Sequence, residues 1–262
     1  MNCYVSLDEI KTLLGLNLSD REKDVALMLL LNRVSRRADA YCGRHFYCET
    51  ATRERWIALL SNIIFVDDLI SITTLKEIDI NDIVTTIAST TYDLQPLTGY
   101  PKTSLRRKDG TWTQGCKLQI VGKFGYSDTS DDSGDTVQND PLTSSGTLLT
   151  VSNGKNFSVG QTLPIENEQV FVLAISANAL TIRRGVNGTT GASHIKTTAI
   201  SIQTYPSGIV DGVVTSINLQ LRGTETRPDD ANAEGYVQGK VIHPDVRALW
   251  NRYVRHEARL SG

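Results

Sequence analysis

Helical periodicity opens this chain, stops at about Gly43, and returns only after Pro206, with strand and turn signals in between. An amphipathic helix must bury its apolar face against another element. The fold therefore has to close two distant helical segments around, or beside, a β-rich interval. Ser6-Leu7-Asp8-Glu9 is a capping box, in which the Ser6 hydroxyl accepts from the Glu9 amide and Glu9 reaches back. Ile10, Leu13 and Leu14 continue it as a short helix that Gly15 stops. A second helix is expected from a Ser19 cap, with Asp20 and Glu22 favourable in its first turn, to Gly43. Leu27, Leu30, Leu31, Val34, Ala38 and Tyr41 mark one face, and Val25, Met28 and Leu29 widen it. So broad an apolar face fits a central core helix or one that also meets a neighbouring subunit.

From Phe46 to Tyr126 the pattern predicts a small, mostly antiparallel sheet. Its strand candidates are Ile63–Val66, Ile70–Ile78, Tyr92–Leu94 and Leu118–Phe124. Asp67-Asp68, Gly99-Tyr100-Pro101 and Lys108-Asp109-Gly110 read as turns. Ser127 to Asp140 holds five Asp and no Lys or Arg, which reads as a linker or exposed loop. Between Leu142 and Gln203, about five short strands surround a hairpin signal at Ser152-Asn153-Gly154 and a glycine-rich loop at Gly185–Gly191. A small all-β barrel or sandwich is expected there. Pro206 then opens a segment whose Ile209, Val210, Val213, Val214, Ile217 and Leu221 keep helical spacing, although their β-branching leaves a strand open. Gly223–Gly239 reads as a polar arm. Pro244-Asp245 opens a last helix, with Val246, Leu249, Trp250 and Tyr253 on one face and Arg252, Arg255 and Arg259 on another. The expected fold class is α+β: a helical frame with a small antiparallel sheet over 1–126 and 205–262, a linker at 127–141, and an inserted all-β domain at 142–204.

Composition narrows the function classes. The 262 residues are 40% hydrophobic and 21% charged, as in an ordinary folded protein. A net charge of −2 lacks the basic footprint of a dedicated nucleic-acid binder. The N-terminus has no basic region followed by an apolar one, and Val25–Leu31 falls far short of the roughly 18 apolar residues of a membrane span. A cytoplasmic site of synthesis and four reduced cysteines (Cys3, Cys42, Cys48, Cys116) are expected.

No motif reaches a catalytic signature. Gly110–Lys117 resembles a phosphate loop, but Cys116 separates the second Gly from the Lys and no Ser or Thr follows, so a turn is expected. Cys42, His45 and Cys48 lack a fourth ligand at zinc spacing and read as core residues beside a helix end. His256-Glu257 lacks the second His of a zinc-protease helix, and no Gly-x-Ser-x-Gly elbow exists. His194 and His243 sit in loop contexts, where solvation or capping is expected, and Asp229-Asp230 reads as a turn. No enzyme activity, cofactor or metal is expected.

Val5–Leu14 and Asp24–Arg44, leading into Ala-Tyr-Cys-Gly-Arg-His-Phe, resemble the opening of tailed-bacteriophage head–tail connector (adaptor) proteins. In that family two helices lead into short strands, and a Gly-Tyr leads to a Pro-started helix. Here these would be Gly125-Tyr126 and Pro206, separated by about eighty residues where the family has few. The Arg-Gly-x-x-Gly-Thr-Thr stretch from Arg184 also resembles small β modules of phage structural proteins. The resemblance implies a virion neck protein: a ring of about twelve copies beneath the portal, extending the channel for viral double-stranded DNA. The ring would offer a docking surface to the tail or a stopper protein, and no membrane is involved. It implies a subunit or portal interface at Val246, Leu249, Trp250, Arg252, Tyr253 and Arg255. Arg33 and Arg37 could face the channel, although a solvated helix face explains them as well. A neck stopper or tail-completion protein is the alternative. A DNA-binding regulator is disfavoured, because the second helix is too apolar to lie in a groove.

Overall fold

The computed structural model describes residues 2–222 and 242–255. The 223–239 arm, Asp229-Asp230, His256-Glu257 and Arg259 therefore lie outside the described residues. The fold is α+β, with antiparallel strand pairing throughout and no closed barrel among the described residues. It divides into two compact units. One comprises residues 1–44, 130–186 and 190–262, and the other residues 45–129 and 187–189.

The second unit is a sheet of β1 (Glu49–Trp56), β2 (Ile63–Ile78), β3 (Val84–Thr86), β4 (Tyr92–Gln95), β5 (Lys102–Arg107) and β6 (Lys117–Phe124). The strand order is β1-β6-β2-β5-β4, with β3 paired to β2. Strand β6 alternates strictly, burying Leu118, Ile120 and Phe124 and turning Lys117, Gln119 and Lys123 outward. Asp67-Asp68 is not a turn. It lies inside β2, where the register with β5 shifts between Phe65 and Leu69. A bulge absorbs the polar pair without breaking the strand, and Asp67 is held by Arg53 at 2.7 Å. Trp112 is fully buried beneath the sheet, and its indole N–H donates to the Asn62 carbonyl at 3.1 Å.

The first unit contains α1 (Leu7–Leu13), α2 (Asp24–Cys42), β7 (Ser130–Thr136), β8 (Leu148–Thr150), β9 (Thr162–Ile165), β10 (Glu168–Ser176), β11 (Ala179–Arg183), β12 (Ala199–Gln203), α3 (Ser207–Leu221) and α4 (Pro244–Trp250). Both halves of the Ser6/Glu9 capping box form. Helix α2 starts at Asp24 instead of near Ser19, because the buried Lys11 ammonium reaches the Asp20 carbonyl (2.5 Å) and the Asp24 carboxylate, fixing the linking turn. Gly43 ends α2 in the left-handed conformation.

The strands make a sheet ordered β8-β11-β10-β9 and a two-stranded ladder of β12 with β7, with β12 packed beside β9. Strand β7 occupies the acidic stretch read as a linker. It tolerates its charge because Asp131 and Asp132 are exposed, while the buried Asp135 accepts the amides of Thr136, Ser152 and Asn153 at 2.7–2.9 Å. Burial opposes ionisation of Asp135, but those amides hold its carboxyl below the usual range. Ser152-Asn153-Gly154 leads into a short 3-10 turn, and the hairpin turns fall instead at Glu166-Asn167 and Ala177-Asn178.

The β block is stitched into the helical frame. Leu7 N–H donates to the Val159 carbonyl (2.9 Å), Asp8 N–H to Ser158 Oγ (3.1 Å), and Thr162 Oγ1 to Asn2 Oδ1 (3.2 Å). Tyr4 packs on Tyr205 with ring centroids 4.7 Å apart. The compact units therefore follow different boundaries from those in the sequence reading: the 45–129 sheet stands as its own unit, and the 130–204 strands fold with the helices.

Candidate interaction site

The helical end of the first unit is built from α3, α4 and the C-terminal half of α2. The β-branched segment after Pro206 is a helix because Ile209, Val213 and Ile217 fall at four-residue spacing and are all fully buried. Packing overrides their strand propensity. Gly208 and Gly212 open a slot on the same helix. A Cβ at Gly212 would come within 2.0 Å of Trp250 Nε1, and one at Gly208 within 2.2 Å of Arg252 Nη2. Helix α4 is entered through His243, whose Nδ1 accepts from Asp245 N–H at 3.3 Å, with Pro244 in its first turn. Its end is pinned by the Arg255 amide, which donates to the Cys42 carbonyl at 2.8 Å.

This placement decides which expected interface residues remain on the surface. Val246 and Trp250 are completely buried against their own chain, so the apolar face assigned to a partner is largely used internally. Leu249, Tyr253 and Arg255 are half-buried, and Arg252 is exposed. Arg33 is exposed and bonds Gln220 Oε1 at 3.1 Å, tying α2 to α3, while Arg37 is half-buried. Between them, Arg36 pairs with Asp39 (2.8 Å) and lies over the Tyr4 ring (5.2 Å). Burial pushes the Asp39 carboxyl up to about 6, and Arg36 and Tyr4 only partly offset it.

A second surface feature is a groove of about 420 Å³ between the start of α2 and β10. Val25, Met28 and Leu29 line one wall and Phe171 to Ile175 the other, with the Arg21–Asp24 ion pair also in the lining. Val25 is 75% exposed and Leu29 63%. These residues were legible as part of a wide apolar helix face. The strand edge opposite them was not.

The glycine-rich loop is held by a buried polar cluster that sequence spacing did not reveal. Arg184 forks onto Glu168, and Gly185 N–H (3.0 Å) and Ala192 N–H (2.9 Å) donate to the same carboxylate. His194 is not solvated. It is fully buried, with Nε2 2.9 Å from Glu168 and Nδ1 2.7 Å from Glu166. Burial alone would raise the Glu168 pKa, but its donors hold it down at about 2. Every oxygen of Glu168 is engaged within the cluster, so this arrangement clamps a loop rather than presenting a reactive group.

The remaining motifs are structural in placement. In Gly110–Lys117 the buried Trp112, the Thr113 bond to Glu77 and the Gly115 amide bond to Ile57 occupy the loop, and Lys117 pairs with Glu54. Cys42 points its thiol at the Trp250 carbonyl (3.7 Å), and burial pushes its pKa up to about 12. His45 packs on Tyr47 and its pKa is lowered, chiefly by burial. Among the described residues, no group of three or more His, Cys, Asp or Glu is placed to hold a metal, and no helix is long and apolar enough to cross a membrane.

No protein-family model and no curated protein matches this chain. Among solved structures, a chain of "Neck of empty GTA particle computed with C6 symmetry" is similar at a TM-score of 0.37 and 13% identity. The match covers 48% of this chain and 66% of that one, just under two thirds of its length.

Proposed function

We propose that this protein is a non-enzymatic structural subunit of a phage-type neck: a head–tail connector ring of about twelve copies docked beneath the portal. In this reading it prolongs the DNA channel and presents a lower surface to the tail or a stopper protein. One observation carries the proposal. The segments that resemble connector proteins, separated by more than 160 residues of sequence, fold together as one helical frame, with α3 packed on both α2 and α4. The near-neutral charge suits a conduit, because a channel rich in phosphate contacts would grip DNA instead of letting it slide.

Cryo-electron microscopy of purified virion necks tests this directly. The expected map shows this chain as a closed ring between portal and tail. Absence of the chain from mature particles overturns the proposal. A position further down, below another ring, replaces it with the stopper reading.

A further inference from the structure

Helix α4 and the turn after it form an anchor whose socket lies on two other helices. Gly208 and Gly212 leave α3 without side chains where Arg252 and Trp250 enter, and Trp250 and Val246 are fully buried there. The Arg255 amide donates to the Cys42 carbonyl at 2.8 Å, and the Tyr41 hydroxyl bonds Asn251 Oδ1, which fixes the anchor to the end of α2. Seven residues are too few to hold a helix in water, so α4 takes its order from the socket.

The register shows how little chain this docking needs. Arg252 meets Gly208 and Trp250 meets Gly212, so α4 runs antiparallel to α3. At 1.5 Å per residue, Pro244 stands about 9 Å back from Trp250, roughly level with Asn218. Helix α3 ends at Leu221, and antiparallel helices so placed are joined by about 2–8 residues. This chain puts about twenty there, residues 223–242. Extended, they reach up to about 70 Å, well beyond the roughly 30 Å diameter of a small domain. The surplus also weakens docking within one chain, because a longer tether lowers the effective concentration of α4 at its own socket.

We infer that in the assembled ring α4 of each copy fills the Gly208–Gly212 socket of its neighbour, with residues 223–242 crossing between them. The inference rests on the ring reading and gives it an intersubunit contact. Every contact made within one chain is remade between copies, so the exchange gives up none of the burial of Val246 and Trp250. Helix and socket are different surfaces, so the contact runs head to tail and closes when the last copy fills the first.

The test is a disulfide across the socket. A Cβ at Gly43 would lie 3.9 Å from that of Arg255, within the disulfide range of about 3.5–4.5 Å. Protein carrying Gly43→Cys with Arg255→Cys is oxidised in purified virions and as free chain, then separated on a denaturing gel without reductant. Arg255→Cys alone sets the background. Virion protein is expected as a ladder of covalent multimers, and free chain as a monomer with an internal bond. Internal bonds alone in virions overturn the exchange and leave the ring standing, whereas absence of the wild-type chain from virions removes ring and exchange together. Gly43 is left-handed, so a doubly substituted chain that fails to enter virions is replaced by a second variant. Deleting residues 225–238 leaves about six between Arg222 and His243, enough for the chain's own socket and too few for a neighbour's. The purified variant should keep the wild-type melting temperature and lose incorporation into virions at least about tenfold. Incorporation at the wild-type level, or unfolding of the purified variant, overturns the exchange.

Discussion

Arg184 grips Glu168 with two parallel bonds, Nε to Oε1 at 2.7 Å and Nη2 to Oε2 at 2.6 Å, in a site where the carboxylate is completely buried. Such a fork is stronger than a single charged contact and fixes orientation as well. Glu168→Gln removes the charge while keeping the shape, leaving Arg184 and His194 buried without their ionised partner. The expected loss is about 3–5 kcal/mol, the cost of breaking a buried pair by removing one member, read as a lower urea midpoint. The pH dependence has a definite sign. The folded pKa of Glu168 is held at about 2 against an ordinary 4.5, so its contribution is complete above 4.5 and lost as pH falls towards 2. The wild-type melting temperature should fall over that window, and Glu168→Gln should flatten the fall.

Asp39 has the opposite sign. Its folded pKa is raised to about 6 from 3.8, so its favourable contribution exists below 3.8 and disappears as pH rises through 6. At pH 7 the buried charge costs up to about 3 kcal/mol at 1.36 kcal/mol per unit, with the help of Arg36 and Tyr4 already included in the raised value. Asp39→Asn should therefore raise the melting temperature at pH 7 and leave it unchanged or lower at pH 4. A gain at pH 4 equal to that at pH 7 would contradict the assignment.

Gly212→Ala places a methyl where the Trp250 indole lies, 2.0 Å from Nε1. Overpacking of this kind costs about 1–3 kcal/mol, despite alanine's better helix propensity. Trp250 fluorescence should shift to the red as the ring is displaced towards water. Val25→Ala, on the exposed side of α2, should change stability by no more than about 0.5 kcal/mol.

Deletion of residues 142–203 discriminates between an inserted module and an integral one. The bonds of Asn2, Leu7 and Asp8 to residues 158–162 predict that the helices cannot stand without the strands. Circular dichroism of the deleted chain should show loss of cooperative helix melting. A cooperative transition near the wild-type temperature would support the insertion model instead.

Local chemistry was the part of this fold that sequence made legible. The Ser6/Glu9 box, the Gly43 stop and the Pro244 start depend on residues within a few positions of each other, and all appear where their spacing places them. Long-range pairing was hidden. An Asp-rich stretch reads as a linker until β12 is found beside it, because nothing nearby indicates that Asp135 meets three amides, two of them from residues 152–153. His194 looked solvated because its partners lie 26 and 28 residues away. Trp250 looked like an interface anchor because its acceptor, the slot at Gly212, lies on another helix.

The thread joining residues 2–8 to residues 158–162 also has a consequence for synthesis. All six strands of the second unit lie before residue 129, so that sheet can close while the ribosome is still translating. The opening helices have left the ribosome first, yet they wait for partners that emerge about 150 residues later, roughly 8–30 seconds at ordinary elongation rates. During that interval α2 has α1 beside it but still lacks α3, on which it packs in the folded chain.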